Sequence, residues 1–134
     1  RIDMNIAWTD SNTASSTMSF DATPDCEDGD PLPDRITLTS VVENPSSGGF
    51  FGGGSNSEVS WALNNPSDEE IATNSGTIGD GQSQTWDYTT RDIVEGFWSL
   101  NIEVAENGDN VNVNNDVTIA YAEGTEDPTN PRPE

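Results

Sequence analysis

The stretch GFWSLNIEVAENGDNVNVNNDVTIAY, residues 96 to 121, decides the fold class. Strand side chains alternate, so Trp98, Leu100, Ile102 and Val104 share one face of a first strand. Val111, Val113, Val117, Ile119 and Tyr121 share one face of a second. The polar run Ala105 to Asn110 between them predicts a hairpin. If Val104 opposes Val111, then Ile102 meets Val113 and Trp98 meets Val117, and both apolar sets fall on one side of a sheet. Leu100 would then meet Asn115, and the poor strand composition of Asn114-Asn115-Asp116 predicts a bulge there. Such a hairpin is marginal alone, so a second sheet must cover its apolar face.

Working outward, the same alternation recurs. Ile2, Met4, Ile6 and Trp8 mark a half-buried strand over residues 2 to 8, broken by Asp10-Ser11-Asn12. Met18 and Phe20 mark a short one, and Ile36, Leu38 and Val42 another, which stops at Asn44-Pro45. Val59, Trp61 and Leu63 form a fourth. Weaker signals lie at Ile71 to Thr73 and near Ile78, and a clearer one at residues 83 to 88, with Trp86 and Tyr88 on one face. No helical periodicity is present. The expectation is an all-β, antiparallel two-sheet β-sandwich of about 8–9 strands, jelly-roll or Ig-like, with the jelly roll favoured. Trp8, Trp61, Trp86 and Trp98 each fall on the apolar phase of a strand and are expected in the core. Residues 1–122 form the sandwich domain, and the acidic, proline-rich residues 123–134 read as a tail or linker.

The 134 residues allow one domain with a core. Twenty-five acidic residues stand against Arg1, Arg35, Arg91 and Arg132, with no lysine, for a net charge of −21. Such a chain repels itself in dilute buffer, whereas at molar salt the screening length falls to about 3 Å. The acidic, lysine-free composition resembles that of proteins from salt-loving archaea. Nucleic acid and anionic membranes are excluded as partners, because neutralising phosphate needs clustered Lys and Arg. Cys26 is the single cysteine, so no internal disulfide forms. No segment reaches the length of a membrane span. The chain starts at Arg1, which points to a trimmed or processed chain with any signal peptide or anchoring helix upstream.

Without histidine, Ser-His-Asp and Cys-His catalysis and His-ligated metals are excluded, and without lysine so are Schiff bases and a P-loop. Carboxylate-pair glycoside hydrolysis is the chemistry the composition permits. With so many acids a chance pair is inevitable, so the count carries no information and the chain is expected not to be an enzyme. Asp25, Glu27, Asp28, Asp30 and Asp34 lie within ten residues around Gly29. They are the candidate Ca²⁺ ligands, since Ca²⁺ takes six to eight oxygens from such loops, and a plainly solvated acidic loop is the competing reading. Asn107, Asp109 and Asp116 form a second, weaker cluster. Phe50 and Phe51 sit in SSGGFFGGGS, residues 46 to 55, where the backbone is too permissive to fix a ring cheaply. They are the candidate contact loop for a partner or neighbouring subunit, the alternative being rings that cap the sandwich.

Val59-Ser60-Trp61-Ala62-Leu63-Asn64-Asn65-Pro66-Ser67, followed by Gly96-Phe97-Trp98-Ser99-Leu100-Asn101-Ile102, resembles the "V-x-L-x-x-P-x-G … G-x-W-x-L-x-V" layout of jelly-roll accessory domains. These are the proprotein-convertase P domains and the bacterial pre-peptidase C-terminal domains. The likeness covers about half the chain, and Asp68 or Glu69 stands where that layout has glycine. It implies a noncatalytic extracellular sandwich attached to something else, and globular heads of archaeal pilin-like proteins share that plan. The expected role is structural or adhesive, as a secreted or cell-surface module. It would be a subunit or head domain of a filament or coat of a halophilic or marine archaeon, acting through protein contacts or self-association. The alternative is an accessory domain, with or without Ca²⁺, that holds a protein or glycan for a larger secreted enzyme.

Overall fold

The computed structural model describes residues 2–22, 33–45, 56–106 and 108–121. Among them are eight strands and no helix: β1 (Ile2–Thr13), β2 (Ser15–Asp21), β3 (Pro33–Glu43), β4 (Ser57–Asn64), β5 (Glu70–Ile78), β6 (Ser83–Thr90), β7 (Phe97–Val104) and β8 (Val111–Tyr121). The weak signals around Ile71 and Ile78 belong to one strand, β5. The proposed tail, 123–134, lies outside the described residues.

The two arms of the 96–121 stretch are not hairpin partners. β7 lies in a sheet of order β2-β7-β4-β5, and β8 in the other, of order β1-β8-β3-β6. Alternation correctly assigns the buried faces, since Trp98, Leu100 and Ile102 are buried, as are Val111, Val113, Val117 and Ile119. It does not assign the partner. Six connecting residues can close a hairpin or cross the roughly 10 Å between packed sheets, and both routes turn the two apolar faces toward one core. Here the connection crosses. Its path is held by Ala105 N–H donating to Glu58 O at 2.9 Å and Ser57 Oγ donating to Asp109 O at 2.7 Å.

Among sequential strands only β4 and β5 are neighbours in one sheet. The pairs β1–β8, β2–β7, β3–β6 and β4–β5 are all antiparallel and nest inside one another. That is the strand order of a jelly roll, a long folded ribbon rolled into two sheets.

No bulge interrupts β8. Asn115 keeps register with Ser40 of β3, and the polar position is absorbed by hydrogen bonding. Trp61 Nε1 donates to Ser40 Oγ at 2.9 Å, and Ser40 Oγ donates to Asn115 Oδ1 at 2.5 Å, all three residues being buried. This chain ties the two sheets together through the core. Register shifts fall in the β3–β8 ladder between Pro33 and Arg35, in the β4–β5 ladder between Leu63 and Asn64, and on β1 between Asp10 and Thr13. There Asn12 has a φ of 53°, and Asn112 Oδ1 accepts its N–H at 2.9 Å. Asp10-Ser11-Asn12 therefore bends the strand without ending it.

The turn between β4 and β5 is built by Asn65, whose Oδ1 accepts from Ser67 N–H at 2.9 Å and from Glu69 N–H at 3.1 Å. Asp68, where the accessory-domain layout has glycine, has a φ of 62°. That is the left-handed conformation glycine adopts most cheaply and Asp tolerates better than most residues.

Of the four tryptophans, Trp61 and Trp98 are about 1% exposed, as expected. Trp86 is half-buried, edge-on to Trp61 with ring centroids 6.4 Å apart. Trp8 departs from the expectation and is 40% exposed. Both belong to edge strands, β1 and β6, whose inner faces have a neighbouring strand on one side only.

Candidate interaction surface

Strand directions sort the connections to two poles. One pole has the start of β1 beside the end of β8, with Ile2 opposite Tyr121, and the segments joining β2–β3, β4–β5 and β6–β7. The other has the segments joining β3–β4, β5–β6 and β7–β8. Among the described connections the first pole carries Asp68, Glu69, Asp92 and Glu95 together with Arg91, and the second Asp80, Glu106 and Asp109, so the two carry equal net charge.

Most of the expected site residues fall outside the described residues. Asp25, Glu27, Asp28 and Asp30 do so, in the segment joining β2 to β3. Asp34, the fifth proposed Ca²⁺ ligand, stands on β3 and takes Arg91 Nη1 at 3.5 Å. Phe50 and Phe51 also lie outside the described residues, in the segment that joins β3 to β4. Asp109 precedes β8, while Asp116 sits in mid-strand and accepts from Asn5 Nδ2 at 2.5 Å. They do not converge, and Asn107 lies outside the described residues. Among the described residues no group of three acidic, Cys or His side chains is placed to hold a metal ion.

Alternation did not reveal two exposed apolar features. On β1 the inner face carries Met4, Ile6 and Trp8, paired with Ile119, Val117 and Asn115. Met4 is 41% exposed, and Trp8 holds a 3.4 Å contact from Nε1 to Ser16 Oγ at the rim of the core. The second feature is Phe97, 68% exposed on the outer face of β7, where Trp98 takes the core side. A sequence signal existed for it: Phe97 falls on the phase opposite to Trp98, Leu100 and Ile102. Asp21 of β2 stands directly opposite Phe97, and farther along the outer face lie Ser99 and Asn101 of β7, Asn64 of β4, and Ser19 and Thr17 of β2, whose Oγ1 donates to Asn101 Oδ1 at 2.8 Å. This face ends at an open depression of about 540 Å³ flanked by Glu58 and Glu103.

No protein-family model matches the chain, and no curated protein matches it either. Solved structures similar to it include dimeric latent PorU from Porphyromonas gingivalis, with a TM-score of 0.51 and 14% identity over 87% of this chain and 12% of that one. PliG of Aeromonas hydrophila, a periplasmic inhibitor of g-type lysozyme, aligns with a TM-score of 0.46 and 14% identity over 88% of this chain and 86% of its own. A CBM4 structure aligns with a TM-score of 0.46 and 10% identity, over 81% and 61%. The chain thus spans about an eighth of PorU. At such identities the likeness extends to the fold alone. No helix among the described residues is long and apolar enough to cross a membrane.

Proposed function

We propose that the chain is a noncatalytic β-sandwich module of the cell surface or a secreted assembly, with a structural and adhesive role. It would serve as a subunit or head domain of a filament or coat of a halophilic or marine archaeon. The observation that carries this reading is the half-covered inner face of β1. A chain of net charge −21 brings copies together most readily through uncharged surface, and on this edge strand Trp8 and Met4 are about 40% exposed. Phe50 and Phe51 would add a second contact, and the Asp25 to Asp34 segment would take Ca²⁺.

Sedimentation and electron microscopy across ionic strength test the reading. Polymers should form at molar NaCl, and the melting temperature should rise from dilute buffer as the charge is screened. A chain that stays monomeric at every salt concentration would end it. Ca²⁺ binding would appear as a gain in melting temperature from millimolar CaCl₂ that NaCl of equal ionic strength does not give.

Phe97 favours a second reading, an accessory domain for a neutral glycan. An exposed ring opposite Asp21, with Ser99, Ser19 and Asn64 at the next positions, offers a stacking surface with hydrogen-bonding groups beside it. Affinity electrophoresis in polysaccharide gels checks this: retardation that Phe97→Ala removes would support the glycan module over the filament.

A further inference from the structure

We propose that copies of this chain join edge to edge, with β1 of one adding to β6 of the next and continuing the β1-β8-β3-β6 sheet. This rests on the filament reading and names its interface. The sheet has an even number of alternating antiparallel strands, so β1 and β6 run in opposite directions. A copy displaced along the sheet therefore presents β1 antiparallel to the free edge of β6. The contact uses two different edges and leaves a fresh one on each side, which generates an open polymer and not a closed pair.

The pleat and the hydrogen-bond alternation both agree. Even-numbered residues face the core on β1 and on β6, as the registers with β8 and β3 show. Following the alternation of hydrogen-bonded and non-hydrogen-bonded pairs through the four strands leaves the free backbone groups on residues of one parity in both edges. An even offset thus matches faces and donors together.

Charge selects among the even offsets. The register that sets Trp8 opposite Trp86 and Ile6 opposite Tyr88 also brings Asp3 to the level of Arg91, the residue just past the end of β6 and one of four arginines in the chain. In it the acids of the two strands meet uncharged residues or, at Asp3, that arginine. Sliding by two residues loses the acid–base match, and sliding four the other way sets Asp3 against Asp87, a destabilising like-charge pair. The chosen register covers the exposed part of Trp8 with the half-buried ring of Trp86. Four strands per copy at about 4.8 Å each give an axial repeat of about 19 Å.

Disulfide trapping tests the contact, since directly opposed Cβ atoms lie about 4.5–5.5 Å apart. In a Cys26→Ser background, Asn5→Cys and Thr89→Cys are outward-facing partners in this register. Mixed at molar NaCl under oxidising conditions, the two variants should give a disulfide dimer. On a non-reducing denaturing gel a chain carrying both should give a covalent ladder, and each variant alone should give no crosslink. Ala7→Cys with Asp87→Cys repeats the test if a melt shows the first pair misfolded. A dimer from Asn5→Cys alone would show a two-fold β1 pairing and overturn the proposal. Filaments seen by microscopy without crosslinks at these positions would overturn it while sparing the filament reading, whereas no polymer at any salt concentration would end both.

Discussion

The central strands of this sandwich and the edge strand β1 carry the same sequence signal and meet different fates. On β3, β4, β7 and β8 the apolar phase is buried to within a few per cent, and Trp61 and Trp98 fill the space between the sheets. On β1 the same alternation, Met4-Ile6-Trp8, leaves two of its three side chains about 40% exposed. Alternation is a statement about a strand's two faces. Coverage depends on what the fold lays over that face, since β2, also an edge strand, leaves Met18 0% and Phe20 3% exposed. The comparison yields a graded set of expectations, from the centre of the core outward.

The largest effect belongs to the centre. Trp61→Ala removes a buried ring and the donor to Ser40, and should cost about 3–5 kcal/mol. Chemical denaturation of the monomer checks it. A loss as small as that expected for Trp8 would mean that central and edge positions do not differ.

That expectation uses the part of the structure the sequence states well. Strand phases are legible in Leu38, Trp61, Leu100 and Val117, because burial of one face and exposure of the other leaves a period of two. The acidic turns and the stop at Asn44-Pro45 are legible for local reasons of turn chemistry. Strand partners are less legible. Val104 and Val111 look like a hairpin because six residues separate them, yet nothing in those residues records whether the chain turns within a sheet or crosses to the other. Asn115 misled for a related reason. A polar residue on an apolar phase suggests a bulge, but its hydrogen-bond partner, Ser40, is 75 residues away and invisible to a local window. Candidate sites were less legible still: five acids close in sequence include Asp34, which the fold turns toward Arg91, and the exposure of Trp8 depends on β1 being an edge.

The next effect lies inside the core but is polar. Ser40→Ala removes one acceptor and one donor at once, leaving Trp61 Nε1 and Asn115 Oδ1 unpaired where water is absent. Desolvation without compensation should cost about 1–3 kcal/mol. Asn115 Nδ2 is already buried with no partner among the described residues, so the network has no spare group to offer. Ser40→Thr, which retains the hydroxyl, should recover part of the loss. Equal losses for Ala and Thr would assign the cost to packing.

At the edge, Trp8→Ala should cost the isolated chain about 1–2 kcal/mol, because solvent fills the vacated space and no cavity remains. Its effect on assembly should be much larger than its effect on folding, since the lost ring is the one that edge pairing would cover. Melting temperature and sedimentation of one variant separate the two quantities. A variant that loses stability and retains full assembly would place Trp8 with the core and remove it from the interface.

The smallest effect is expected at the surface pair beside that edge. Arg91 meets Asp34 through a single 3.5 Å contact, with side chains 66% and 37% exposed. A pair so open to water and salt contributes at most a few tenths of a kcal/mol, because screening and the entropy of holding two mobile groups offset the attraction. Arg91→Gln should therefore leave the melting temperature of the monomer within error at any ionic strength. The same substitution removes the acid–base match with Asp3 across the proposed β6–β1 contact. Polymerisation at intermediate salt should then weaken, and at molar salt, where charge is screened within about 3 Å, it should approach the unsubstituted chain. A clear drop in monomer stability would show that Arg91 supports the fold, which would erase the contrast between an interior held by packing and an edge reserved for contact.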